Sequence, residues 1–267
     1  MPEEIHAGGK SHPLHYVQAG QGATLLLIHG SLCDYRYWRW QIPALSLSCR
    51  VIAPSLRGFW PEAFITENDS FSIAQHVSDL QALIRETSPG QPVHILGHSR
   101  GAQVALQLAL SAPELARSLI LADPGFRIDN EPEAAAFHTR VVAQLKRGEV
   151  DEALADFIDS VNGPDTWRQM VGWFKAMVND NAYTLLSQVH ETNLPVSLDS
   201  AASLRCPVLL VGGANSQARF GSRLDILEQA IAQAERVTIP LASHGMNLGN
   251  PKAFNQTVAD FLNQIDS

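Results

Sequence analysis

Short apolar runs recur along this chain, and most are followed by a stretch in which apolar residues return every three or four positions. Thr24-Leu25-Leu26-Leu27-Ile28, Arg50-Val51-Ile52-Ala53-Pro54 and Pro92-Val93-His94-Ile95-Leu96 are too short for packed helices and read as buried strands. Residues 15–18, 118–122, 207–212 and 237–240 read the same way. Between them, Ile73, Val77, Leu80, Leu83 and Ile84 fall on one face of a helix, as do Phe254, Val258, Phe261 and Leu262. Asn250 suits the N-cap of the latter and Pro251 its first turn. Strands alternating with helices predict an α/β fold with a doubly wound, mostly parallel sheet. Residues 126–204 break the alternation. They offer only helical stretches, divided by Gly148, by Asn162-Gly163-Pro164 and by residues 179–181.

One junction in this pattern carries chemistry. Gly97-His98-Ser99-Arg100-Gly101 is a G-x-S-x-G between the strand at 92–96 and an apolar helical run from Ala102 to Leu110. A serine there sits on a sharp strand-to-helix turn that lifts its hydroxyl out of the sheet, and the two glycines let neighbouring backbone come close. An ordinary glycine-rich loop is the alternative for the bare pentapeptide, and the flanking elements speak against it.

With these residues the chain resembles the α/β-hydrolase fold family, from about Leu14 to Leu262. His29-Gly30, after the strand at 24–28, stands where that family carries its oxyanion loop. Ala242-Ser243-His244-Gly245, after the strand at 236–240, stands where it holds its catalytic histidine. Ser55 replaces an aspartate that the family often has after Pro54, a position that usually supports loops rather than chemistry. The resemblance also implies a division of the chain. Residues 1–125 and 205–267 would form the core, and 126–204 a helical cap over the site. Phe157, Trp167, Met170, Val171, Trp173, Phe174 and Met177 would supply the cap's own core, with a few of them walling the substrate pocket.

Composition narrows the field further. Of the 267 residues, 45% are apolar and 17% charged, as in a globular protein with a sizeable core. A net charge of −8 without a basic patch argues against nucleic acid. No apolar stretch approaches the roughly 20 residues that cross a bilayer, and Met1-Pro2-Glu3-Glu4 lacks the signature of a signal peptide. Cys33, Cys49 and Cys206 show neither metal spacing nor a disulfide framework, and His6, His12 and His15 lack companion ligands. The expectation is a cytoplasmic protein with reduced thiols, no metal and no cofactor.

A serine hydroxyl needs a base to become a nucleophile. His244 is the candidate, in a loop between a late strand and the last helix; His98, beside Ser99, reads as a packing residue. An acid must hold the other ring nitrogen. The family usually places it after the strand at 207–212, where Asn215 stands here. Asp123, after the strand at 118–122, offers the charge and keeps the order Ser99…Asp123…His244, as in some members of the family. Its alternative role is to start the turn into Pro124-Gly125. The backbone N–H of Arg100 and, by resemblance, that of Ser31 would bind the oxyanion. The Arg100 side chain would recognise a substrate carboxylate or, more simply, form a salt bridge. Together these residues imply hydrolysis of a small carboxylic ester, lactone or thioester through an acyl-enzyme. Serine at 99 sets aside the dehalogenase and epoxide-hydrolase chemistry of this fold in its usual form, which calls for aspartate. Two alternatives stay open: cofactor-free haloperoxidase-type perhydrolysis, and a non-catalytic binding protein on the same fold.

Overall fold

A computed structural model describes residues 4–6, 8, 14–62, 71–129, 135–191 and 195–267. The expectations for residues 1–3 and His12 fall outside them. Eight strands form one sheet: β1 (Glu4–His6), β2 (Tyr16–Ala19), β3 (Thr24–Ile28), β4 (Arg50–Pro54), β5 (Val93–His98), β6 (Ala116–Ala122), β7 (Val208–Gly213) and β8 (Ala234–Ile239). Their order is β1-β2-β4-β3-β5-β6-β7-β8. The pairs β1/β2 and β2/β4 are antiparallel and the rest parallel, so the sheet is mostly parallel and doubly wound. No helix among the described residues is long and apolar enough to cross a membrane.

Period-two alternation divides each central strand between two cores. Leu25, Leu27, Val51, Leu96, Ile120 and Val211 pack with Phe254, Val258 and Phe261 of the helix Pro251–Asp266. Leu26, Ile28, Ile52, Ile95, Leu119 and Leu121 pack instead with Leu80 and Leu83 of the helix Ile73–Thr87, and with Leu106 of the helix Arg100–Ser111. Strands covered on both faces explain the near-continuous apolar runs in the sequence. Asn250 caps the last helix as expected, its Oδ1 accepting the Ala253 N–H at 3.3 Å.

The chain winds from β3 to β4 in one direction and from β5 through β8 in the other. A crevice therefore opens at the carboxyl ends of β3 and β5, where ligands of open α/β sheets bind. Register keeps the neighbouring ends level: Ile28 pairs with Gly97, His98 with Ala122, Ala122 with Val211, and Gly213 with Ile239. The loops after five strands consequently meet over one spot.

Between β6 and β7 the described residues form helices, among them Ala135–Lys146, Val150–Asn162, Gly172–Asp180 and Leu185–Gln188. Gly148 and Gly163 break the helices as expected, both with positive φ; the third expected break is shorter, since residues 179 and 180 are still helical and Asn181 ends their helix, and a further break at Met170 and Val171 was not foreseen. A parallel bridge between Ile128 and Val196 draws the two ends of the insertion together. Asn181, fully buried, ties it to the rest of the chain. It donates to Asp34 Oδ2 at 2.8 Å and accepts the Trp60 N–H at 2.8 Å.

Candidate active site

Ser99 joins β5 to the helix Arg100–Ser111 with φ 54° and ψ −121°, a conformation few L residues adopt. Such a residue stores about 1–3 kcal/mol of strain and persists only where its surroundings over-determine it. Three hydrogen bonds do so here: Ser99 N–H to Ala122 O, and the N–H groups of Ala102 and Gly125 to Ser99 O, each 3.0 Å. A Cβ on Gly101 would stand 2.4 Å from the carbonyl oxygens of Ile28 and His29, so only glycine lets the helix come this close to β3. Gly125, which the sequence reading did not single out, is also constrained, though less tightly. A Cβ there would lie 2.9 Å from Ser99 Oγ and 3.0 Å from Arg100 N.

The loops after β6 and β8 bring two further side chains to Ser99. The Ser99 hydroxyl donates to His244 Nε2 at 3.0 Å, and His244 Nδ1 donates to Asp123 Oδ2 at 3.3 Å. An ionised carboxylate only accepts, which sets the ring proton on Nδ1 and leaves the Nε2 lone pair facing the serine. Asp123 is fully buried and His244 nearly so, whereas Ser99 is half-buried. Asn215 stands apart: it is exposed, and its backbone N–H donates to Ala242 O at 2.8 Å. Its neighbour Ser216 takes the place beside the acid, donating its hydroxyl to Asp123 Oδ2.

His98 does more than pack. Its Nε2 donates to the His244 carbonyl at 2.7 Å, and its ring lies 4.7 Å from that of His244. Phe220 stacks on the same imidazole, 4.1 Å from the His244 ring and 20° from parallel. The imidazole is thus held by its backbone and by its ring plane.

Burial shapes the electrostatics. It pushes the Asp123 carboxyl up to about 6, an effect that the Ser216 hydroxyl opposes by favouring the charged form. Burial, and then the charges of Arg219 and Arg223, push His244 down to about 3. The resting pair therefore presents an unprotonated imidazole near neutral pH, as a base requires.

Ser31 and Arg100 flank Ser99. Arg100 opens its helix, so its N–H has no intrahelical acceptor. Both side chains reach the helical insertion. The Ser31 hydroxyl donates to Gln188 Oε1 at 2.6 Å, and Arg100 Nε and Nη2 bind the two Glu191 oxygens at 2.7 Å each. Arg100 is thus the salt-bridged residue of the simpler expectation. Sequence reasoning missed Gln188 and Glu191, because nothing local in the insertion marks them.

Two cavities of about 170 and 440 Å³ meet at Ser31, Ser99, Phe157 and Val161. Of the seven apolar residues singled out in the insertion, Phe157, Met170, Val171, Trp173 and Phe174 line the larger one. Trp167 and Met177 belong to the core, with Trp167 Nε1 donating to Asp151 at 3.0 Å.

The chain is 27% identical over 254 residues to a pimeloyl-[acyl-carrier protein] methyl ester esterase of Aeromonas hydrophila subsp. hydrophila, covering 91% of this chain and 96% of that one. It is 26% identical over 263 residues to a putative carbamate hydrolase, RutD, of Pseudomonas savastanoi pv. phaseolicola, covering 94% and 98%. An epoxide hydrolase of Neurospora crassa, srdG, is 33% identical over 164 residues, 58% of this chain but only 46% of that one. Among solved structures, a thermophilic esterase from Thermogutta terrifontis superposes with a TM-score of 0.81 at 23% identity over the whole of both chains. The model of the alpha/beta hydrolase family matches residues 25–257. With that match spanning both the sheet and the insertion, and with hydrolases as its relatives, the chain belongs to the alpha/beta hydrolase family.

Proposed function

We propose that this protein is a serine hydrolase that cleaves a carboxylic ester, lactone or thioester of a small molecule through an acyl-enzyme. The observation that carries the reading is the 3.0 Å hydrogen bond from Ser99 Oγ, on its strained turn, to a histidine nitrogen whose opposite side faces a buried carboxylate. The full-length relative named as a methyl ester esterase supports the choice of bond. Ser99 Oγ attacks the carbonyl carbon as its proton passes to His244 Nε2. The backbone N–H groups of Ser31 and Arg100 take the developing oxyanion, each typically worth about 2.7–4 kcal/mol. Asp123 stabilises the imidazolium, which then protonates the leaving alcohol or thiol. Water, deprotonated by His244, attacks the acyl-enzyme; the acid leaves and Ser99 regains its proton. Residues 126–204 act as the cap, closing the cavities over Ser99, on a core of residues 1–125 and 205–267.

A fluorophosphonate probe tests the reading. Rapid labelling that peptide mass mapping locates at Ser99, and that disappears in Ser99→Ala, is the expected result. A folded protein that stays unlabelled overturns it and leaves the non-catalytic binding reading. Perhydrolysis shares the acyl-enzyme and differs only in its acceptor, so peracid formed from an ester and hydrogen peroxide distinguishes it.

The pair His244–Asp123 should also set the pH profile. Its first proton disables the base wherever it settles, so kcat/KM is expected to fall as pH drops through about 6. Ser216→Ala removes a hydroxyl that favours the charged carboxylate. Hydrogen bonds to charged groups are worth about 1.5–3 kcal/mol, so the acid limb should move up by about one to two pH units. An unmoved limb in a profile from pH 4 to 8 would show that Ser216 does not tune the acid.

A further inference from the structure

Of the two cavities that meet at Ser99, the larger is the one walled by the histidine. His244, with Ser243 and Gly245 of its loop, lines that cavity. It is not among the described lining residues of the smaller one, where Phe220 stands instead, stacked on the imidazole with ring centroids 4.1 Å apart. Size and walls differ as well. The smaller cavity, about 170 Å³, is bounded by Ser31, Gln188, Arg100 and Glu191, which are tied in pairs from core to insertion. The larger, about 440 Å³, has no Arg, Lys, Asp or Glu among its described lining residues, and Trp40, Met170, Trp173 and Phe174 give its character.

We propose that the ester cleaved by this protein joins a small acyl group, seated in the smaller cavity, to a bulky apolar or aromatic alcohol, seated in the larger; the assignment rests on the reading of Ser99 as nucleophile and His244 as base.

Three observations support it. The first is the path of the proton. The leaving oxygen takes its proton from His244 Nε2, so it lies on the histidine's side of the tetrahedral intermediate. The alcohol limb then runs on into the cavity that the histidine walls, and the acyl limb into the other. The second is volume. An apolar cavity of about 150 Å³ holds one benzene ring, so the smaller cavity has room for a group of about that size and the larger for two or three such rings. The ties from Ser31 to Gln188 and from Arg100 to Glu191 keep the smaller one from widening. The third is the surface that the alcohol would meet. Trp173 and Phe174 meet edge to face, with centroids 5.7 Å apart. The Arg39 guanidinium lies over Trp40 of the core at 4.9 Å and over Trp173 of the insertion at 4.5 Å, joining the two indoles. Aromatic faces held in this way favour an apolar or aromatic group, and a charged alcohol would find no opposite charge among the described lining residues.

Two isomeric esters test the proposal. 2-Naphthylmethyl acetate carries its rings on the alcohol, and methyl 2-naphthylacetate carries them on the acyl group. Both release a primary alcohol, and their rates of alkaline hydrolysis correct for intrinsic reactivity. Each buried methylene-sized unit multiplies kcat/KM by about fourfold, so burying even part of the ring system predicts a ratio of about 10² or more in favour of the acetate. Met170→Trp, which fills the larger cavity, should lower kcat/KM for naphthylmethyl acetate by about tenfold or more and for ethyl acetate by less than about threefold. Extending the acyl group from acetyl to decanoyl on the same alcohol should also cost about tenfold or more. Equal hydrolysis of the isomers, preference for methyl naphthylacetate, or hydrolysis of neither, with Ser99 still labelled by fluorophosphonate, would overturn this proposal and leave the serine-hydrolase reading standing. A folded Met170→Trp protein that treats both acetates as the wild type does, or a decanoate cleaved as well as the acetate, would overturn it too. Failure of labelling and of every hydrolysis would sink the serine-hydrolase reading and with it the assignment of the two limbs. The isomer comparison needs no variant, so a Met170→Trp chain that fails to fold does not remove the test.

Discussion

Ser99→Ala and His244→Ala are each expected to lower kcat/KM for an ester by roughly 10⁴- to 10⁶-fold, and the double variant to be hardly worse than either. The reason is the shared proton. Without the hydroxyl, the imidazole has nothing to activate; without Nε2 at 3.0 Å, the hydroxyl stays a poor nucleophile near neutral pH. Removing either removes the same step, so the losses cannot multiply. Residual turnover would come from the backbone donors and from binding alone. Steady-state rates on a fluorogenic ester, with circular dichroism to confirm folding, measure this. Multiplying losses in the double variant would show that the two residues serve separate steps.

Asp123→Asn is expected to cost about 10⁴-fold in kcat with the fold intact, and Asn215→Ala less than tenfold. Asparagine matches aspartate in shape but can neither offset an imidazolium's charge nor hold the ring tautomer securely. The carboxylate is fully buried, with Oδ2 accepting from both His244 and Ser216, so no solvent ion substitutes for it. Asn215, exposed and joined to the Ala242 carbonyl by its backbone, has no comparable contact. A near-neutral Asp123→Asn beside a crippled Asn215→Ala would reverse the assignment and point to a Ser–His–Asn arrangement.

Much of this was legible in the sequence, for physical reasons that differ by residue. The bounds of β3 and β4 coincide with their apolar runs because both faces of those strands are covered. Strand β1 escaped notice: Glu4-Ile5-His6 is a three-residue edge strand with an exposed Ile5, held by pairing to β2 rather than by its own pattern. Ser99 carries a local signature and His244 a positional one, whereas Asp123 needed the register of β6 against β7 to separate it from Asn215. His98 looked like packing because the carbonyl it binds lies 146 residues away. Arg219 and Arg223, one helical turn apart on Ala218–Ala230, read as the polar stripe of an ordinary helix. Only the fold shows that the stripe faces a cavity.

The side-chain ties from Ser31 to Gln188 and from Arg100 to Glu191 have an evolutionary consequence. The residues proposed to cradle the oxyanion through their backbones are the same ones whose side chains grip the insertion. Exchanging residues 126–204 for the corresponding segment of another relative would discard Gln188 and Glu191 together, loosening the cradle while changing the pocket. Such a lineage cannot acquire a new substrate by swapping its roof as an interchangeable part. It must either bring matching partners for Ser31 and Arg100 within the new segment, or pass through intermediates that bind the new molecule and turn it over slowly.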